Sequence, residues 1–96
     1  DSATTSRLLE MQRFGHLDLH GLNPTQVERL LRFLFESQVE VDGLWLLPGK
    51  GRHSSSAHNG TSPVRAKMFH VVETYPSLSL DPVENNLGAF VLRVMS

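Results

Sequence analysis

Two side chains near the start of the chain are spaced for chemistry on a phosphate. In Leu17-Asp18-Leu19-His20-Gly21 the apolar and polar residues alternate, the mark of a strand with one wet face. Asp18 and His20 therefore share a face, their backbone positions ~7 Å apart. Both can reach one phosphate, or one metal-bound water, from the same side. A carboxylate there can accept a proton or bind a divalent cation, and an imidazole can give a proton to a leaving oxygen. The same residues also have a plain structural use. Asp18 can cap the turn that follows, and His20 can bond to backbone.

A second stretch, Gly49-Lys50-Gly51-Arg52-His53-Ser54, follows the next apolar run. Its two glycines let backbone approach a ligand closely and turn successive N–H groups toward an anion. Lys50, Arg52 and His53 add positive charge for phosphate. The loop leads to the N-terminus of a second long helix, whose free N–H groups favour anions. From Gly49 to His70 there are four cations, Lys50, Arg52, Arg65 and Lys67, and no carboxylate. From Glu36 to Asp42 there are three carboxylates and no cation. A local basic face is therefore expected on a chain whose net charge is only −1.

Several other chemistries are disfavoured. No Gly-Lys-Ser/Thr stands at P-loop spacing, and the third glycine of a dinucleotide fingerprint is missing. His16 and His20 have the helical spacing of zinc ligands but fall on a strand, too far apart for one ion. A triad of Ser54, His20 and Asp18 can be written down, but no nucleophile elbow supports it. His58 and His70 read as solvated or partly buried. Asn59-Gly60-Thr61 satisfies a glycosylation sequon but reads as a turn.

The elements that must position these residues follow from pattern. The first strand is expected over 16–20. Asn23-Pro24 is a strong helix start, and Val27, Leu30, Leu31 and Leu34 repeat at helical spacing. Leu44-Trp45-Leu46-Leu47 is a continuous apolar run, expected of a strand covered on both faces. Strand, helix, strand of this length implies a parallel pair with a right-handed crossover, so both polar loops open on one sheet edge. Ser62-Pro63 starts a second helix, with Val64, Met68, Val71, Val72 and Tyr75 on its apolar side. Leu78 to Val83 marks a short strand, Glu84 to Gly88 a turn, and Ala89 to Met95 the last strand. The expected fold is α/β (α+β), a βαβαββ two-layer sandwich with a mixed four-stranded sheet and a short N-terminal helix. Residues 1–15 form an arm, frayed to residue 6 and then helical from Ser6 to Phe14. Residues 16–96 form the domain. Both sheet faces carry apolar residues, so the arm is expected to pack as a short helix on the sheet or its edge and to bury Leu8, Leu9 and Phe14.

Ninety-six residues bound the chain to one modest core. The absence of cysteine excludes disulfides and thiolate metal sites. No apolar run approaches membrane-spanning length, so no membrane partner is expected, and the domain is expected to be a monomer. A chain starting at Asp1 is expected to be cut from a longer parent.

Three pieces together, Leu17-Asp18-Leu19-His20-Gly21, Gly49-Lys50-Gly51-Arg52-His53-Ser54 and Asn86-Leu87-Gly88 before a final apolar strand, resemble the Smr (small MutS-related) domain family. The likeness covers roughly residues 16–95 and leaves the arm unexplained. Pro48 is less typical of the family and stiffens the entry to the loop. The resemblance implies the same βαβαββ order, similar to the C-terminal domain of a bacterial translation initiation factor. It also implies nucleic acid, DNA or RNA, as partner, and endonuclease activity centred on Asp18 and His20. Asp18 would be base or ligand of a divalent cation (Mg or Mn), and His20 the acid or a donor to the phosphate. Lys50, Gly51, Arg52, His53, Ser54 and Arg65 would contact nucleic acid. Two alternatives remain: a non-catalytic RNA- or ribosome-binding module on the same fold, and a protein-interaction module using the arm.

Overall fold

The computed structural model describes residues 2–49 and 62–95. The elements are α1 (Ser2–Phe14), β1 (His16–Asp18), α2 (Pro24–Glu36), β2 (Trp45–Leu47), α3 (Pro63–Glu73), β3 (Leu78–Val83) and β4 (Asn86–Val94). After α1 the order is βαβαββ, as expected. The four strands form one mixed sheet in the order β1-β2-β4-β3. β1 and β2 are parallel, and β4 runs antiparallel to both of its neighbours.

Helix α2 forms for local reasons first. The Asn23 carboxamide accepts from the Gln26 N–H at 2.8 Å, and the Gln26 side chain accepts from the Asn23 N–H at 2.9 Å. Two orphan donors of the first turn are thus satisfied reciprocally. Val27, Leu30, Leu31 and Leu34 are all buried, one stripe at helical spacing. Helix α3 starts on Ser62, whose hydroxyl accepts from the Arg65 N–H at 3.1 Å. Its Met68, Val71 and Val72 are buried. Leu17, Leu46, Phe90 and Leu92 join these residues in one core, and Phe69 meets Phe90 edge-on at 5.0 Å. Both helices therefore lie on the sheet face that carries Leu17, Leu46 and Phe90.

A polar seam along the outer side locks α2 to α3. Arg32 pairs with Glu28 at 3.0 Å and donates to the Thr74 hydroxyl at 3.2 Å and to the Tyr75 hydroxyl at 3.4 Å. Tyr75 donates to Glu36 at 2.7 Å, and Lys67 approaches Glu28 at 3.5 Å. The Arg32 hydrogen bond, then the Lys67 charge, hold the Glu28 carboxyl below its ordinary range.

The structure departs from expectation in four places. β1 is three residues rather than five, because the chain turns immediately after Asp18. β2 is buried on one face only: Leu46 is fully buried while Trp45 is 41% exposed. The last turn is shorter, with β4 beginning at Asn86 and Asn85 at a φ of 65°. The arm differs most. α1 begins at Ser2, not Ser6, and packs against β1. Its buried residue is Met11, at 9% exposure, with Leu8 only partly buried. Leu9 and Phe14 are 61% and 62% exposed. One turn of a helix cannot aim Leu8, Leu9 and Met11 at one surface, and the side beside the core keeps Leu8 and Met11.

Met11→Ala is therefore expected to cost about 2 kcal/mol, the low end for deleting a large core side chain. Leu9→Ala and Phe14→Ala are expected to change stability by no more than about 0.5 kcal/mol. Chemical denaturation of the three variants checks this ordering.

Candidate functional site

The parallel register Asp18↔Leu47 sets two strand ends side by side. The Leu19 N–H donates to the Leu47 carbonyl at 2.9 Å, the last bond of that pair. Beyond it both chains turn through glycine: Gly21 has a φ of +85° and Gly49 a φ of +88°, conformations that a side chain resists. β4 runs antiparallel to β2 with Leu46 opposite Phe90. Its beginning, Asn86 to Gly88, thus reaches the same end of the sheet. α3 also starts here, since the Arg65 guanidinium lies 5.0 Å from the centre of the Phe90 ring. The topology brings the described parts of all three motifs, and a helix N-terminus, to one end of the sheet.

Within the first motif the geometry is specific. Asp18 is half-buried and His20 exposed. Asp18 Oδ1 accepts from the His20 N–H at 2.9 Å, so the carboxylate caps its own turn, the structural use noted above. Its second oxygen carries the remaining acceptor capacity. The turn is closed by Leu22 N–H to the Leu19 carbonyl at 3.2 Å. The His20 ring lies near Gly49: a Cβ placed there would stand 3.6 Å from His20 Cδ2. The first and second motifs are therefore neighbours, with an imidazole beside a glycine that leaves it room.

Arg7 is the residue that sequence reasoning missed. Its Nη2 donates to the His20 carbonyl at 2.9 Å, across 13 residues of chain, and it approaches Glu10 at 3.7 Å. Arg7 sits one turn before Met11 on α1, so the helix that buries Met11 also brings a cation to the His20 turn. Its only sequence signal is a cation one turn before Met11 in a helix patterned by apolar residues.

Other expected residues are placed as follows. Arg65 is half-buried over Phe90, on the same end of the sheet. Lys67 turns to Glu28 at the helix seam. Asn86 bonds locally, its Oδ1 accepting from the Gly88 N–H at 3.1 Å. Lys50, Gly51, Arg52, His53 and Ser54 lie outside the described residues. Among the described residues no group of three or more His, Asp or Glu side chains is arranged to hold a metal ion. Among the described residues, no helix is long and apolar enough to cross a membrane.

Comparison with protein-family models, with curated proteins and with solved structures finds no match for this chain. What it does is therefore read from its own geometry and motifs.

The Arg7 contact makes a direct prediction. Arg7→Ala removes the side-chain donor to the His20 carbonyl and leaves the sheet intact. The Leu22 amide, which closes that turn, is expected to exchange with solvent about tenfold faster, while the Leu92 amide at the sheet centre keeps its protection. Hydrogen exchange followed by NMR reads both.

Proposed function

We propose that this chain is an Smr-like domain that binds nucleic acid and cleaves phosphodiester bonds at the shared end of β1 and β2. The observation that carries this reading is the proximity of the first two motifs. Asp18 ends β1, His20 stands in the turn that follows, and the His20 ring is beside Gly49, where the basic loop begins. The sequence that follows Gly49 supplies Lys50, Arg52, His53 and the Gly51-Ser54 stretch, the groups proposed to hold the phosphate. Arg65, at the start of α3, adds a cation to the same end.

In this mechanism Asp18 takes the proton of an attacking water through the oxygen that its turn leaves available. The water oxygen bonds to phosphorus. His20, exposed beside Gly49, gives its proton to the oxygen that departs. Arg7 is a positioning residue: it holds the His20 carbonyl, and so the turn from which the imidazole projects. A divalent cation (Mg2+ or Mn2+) held by Asp18 would offset charge on the phosphate, and its remaining ligands would be substrate and water.

One observation favours a second reading, a non-catalytic RNA- or ribosome-binding module. Asp18 Oδ1 is committed to the His20 N–H, as a purely structural carboxylate would be. Plasmid nicking and cleavage of a structured RNA, each with divalent metal and with chelator, separate the two.

Under the catalytic reading, Asp18→Asn and His20→Ala each lower cleavage at least a hundredfold, the scale of one acid–base group. Folding and nucleic-acid binding persist. Cleavage at the wild-type rate by both variants would sink the assignment.

The loop has its own test. Replacing Lys50 and Arg52 together with Ala is expected to weaken binding across all sequences. The log–log salt slope should flatten by roughly 0.7 to 0.9 per lost phosphate contact. An unchanged slope measured by fluorescence anisotropy would make the loop bystander surface.

A further inference from the structure

The sheet has a second face, and the helices do not cover it. Side chains alternate along each strand, so the face opposite Leu17, Leu46, Phe90 and Leu92 carries His16, Trp45, Val91 and Asp81 in one continuous row. Asp18 and Leu47 form the next row toward the candidate site. Trp45 is 41% exposed in the middle of this face. Phe14, just before β1, adds a ring to this row. It stacks on His16 with centroids 5.7 Å apart and planes 16° from parallel. The Arg13 guanidinium lies over the Phe14 ring at 5.9 Å. Three aromatic residues, Trp45, His16 and Phe14, thus adjoin on or beside the open face, with a cation on the last ring.

We infer that this row is a stacking platform for single-stranded nucleic acid, DNA or RNA, which delivers the strand to Asp18 and His20. The inference rests on the proposed function and names its substrate class. Every base has a π-face, so exposed flat rings bind unpaired bases without reading sequence, and they cannot reach bases stacked inside a duplex. The platform and the candidate site share one surface. Asp18 follows His16 on the same strand face, ~7 Å along, so a strand stacked on Trp45 and His16 passes its next phosphodiester beside Asp18. Polar groups decide against a protein helix as occupant. Arg93 and Asp81 pair at 3.3 Å on the same face, and an apolar helix laid across it would have to bury that pair and Asp18. A nucleotide strand brings its own polar backbone and leaves both in water.

The chain holds a single tryptophan, Trp45, so its emission reports the platform directly. The probes are ten-nucleotide oligo(dT) and oligo(U), and a blunt hairpin duplex of equal length. Both single strands are expected to quench Trp45 emission, and the hairpin is expected to leave it unchanged. Trp45→Ala and Phe14→Ala are expected to weaken single-strand binding about tenfold each, read by anisotropy of labelled oligonucleotide. Trp45→Phe, which keeps a ring, should recover most of the loss, so a folding defect and a lost ring are told apart. Tight single-strand binding without quenching, and indifferent to these variants, would overturn the platform and leave the cleavage reading standing. Equal quenching by the hairpin would overturn the single-strand class. Failure of every probe to bind would remove both readings. A shift of Trp45 emission with protein concentration alone, matched by dimer in sedimentation, would assign the face to a second copy of the chain instead.

Discussion

The parallel pairing of β1 with β2 is the constraint on which the rest depends. Each strand is three residues long, and one pair of buried leucines, Leu17 beside Leu46, sits at its centre. Parallel neighbours place equivalent ends together, so the two chains leave the sheet side by side after Asp18 and Leu47. If β2 ran the other way, its polar loop would leave from the opposite end, far from His20. The direction is enforced by α2, which fills the crossover with four buried side chains on one stripe. It is enforced also from the far side, where β4 bonds to β2 through Leu92 N–H to the Leu44 carbonyl and Gly43 N–H to the Leu92 carbonyl, both 2.7 Å. So short a pair would be marginal alone. It is held because the sheet and both helices share one core.

How much of this was legible in the sequence depends on how local the cause was. Helix α2 was readable almost to the residue, since its cap, its proline and its apolar stripe are all written within thirteen positions. The βαβαββ succession after α1 was readable because alternation and connection length leave few topologies. The arm was not. Leu8, Leu9, Met11 and Phe14 are all apolar, and which of them is buried depends on the angle at which α1 meets β1. That angle is set by tertiary contact, with Gly15 at a φ of +74° between the two. Nor did the continuous run Leu44 to Leu47 predict an open face, because a tryptophan reads as core in any propensity scale, whichever way it points.

The candidate site divides along the same line. His20 stands in the turn beyond β1, off the strand face expected for it, and the strand period reached only Asp18. Its bond to backbone was legible as the structural alternative, and the structure has it: Oδ1 caps the turn. The two uses are compatible, since a carboxylate has two oxygens and a capped turn is a stiffer mount for the second. The Arg7 bond to the His20 carbonyl was illegible. A contact between residues thirteen apart, through a half-buried guanidinium, follows from no periodicity. It ties the arm to the turn that follows β1.

Asymmetry between the two sheet faces links stability to function. The buried side chains sit on the helix side, where Leu17, Leu46, Leu92, Met68 and Val71 are all fully enclosed. A domain of this size can bury only a modest fraction of its surface, and here one layer of helices uses it. The other face then keeps partly exposed apolar surface, Trp45 above all, at a cost in solvation that a purely structural sheet would avoid by placing polar residues there. Phe14 could have been turned inward, and instead stands on His16. Apolar rings left on the surface that also carries Asp18 make that face, under the proposed function, as much a candidate for binding as the loop edge.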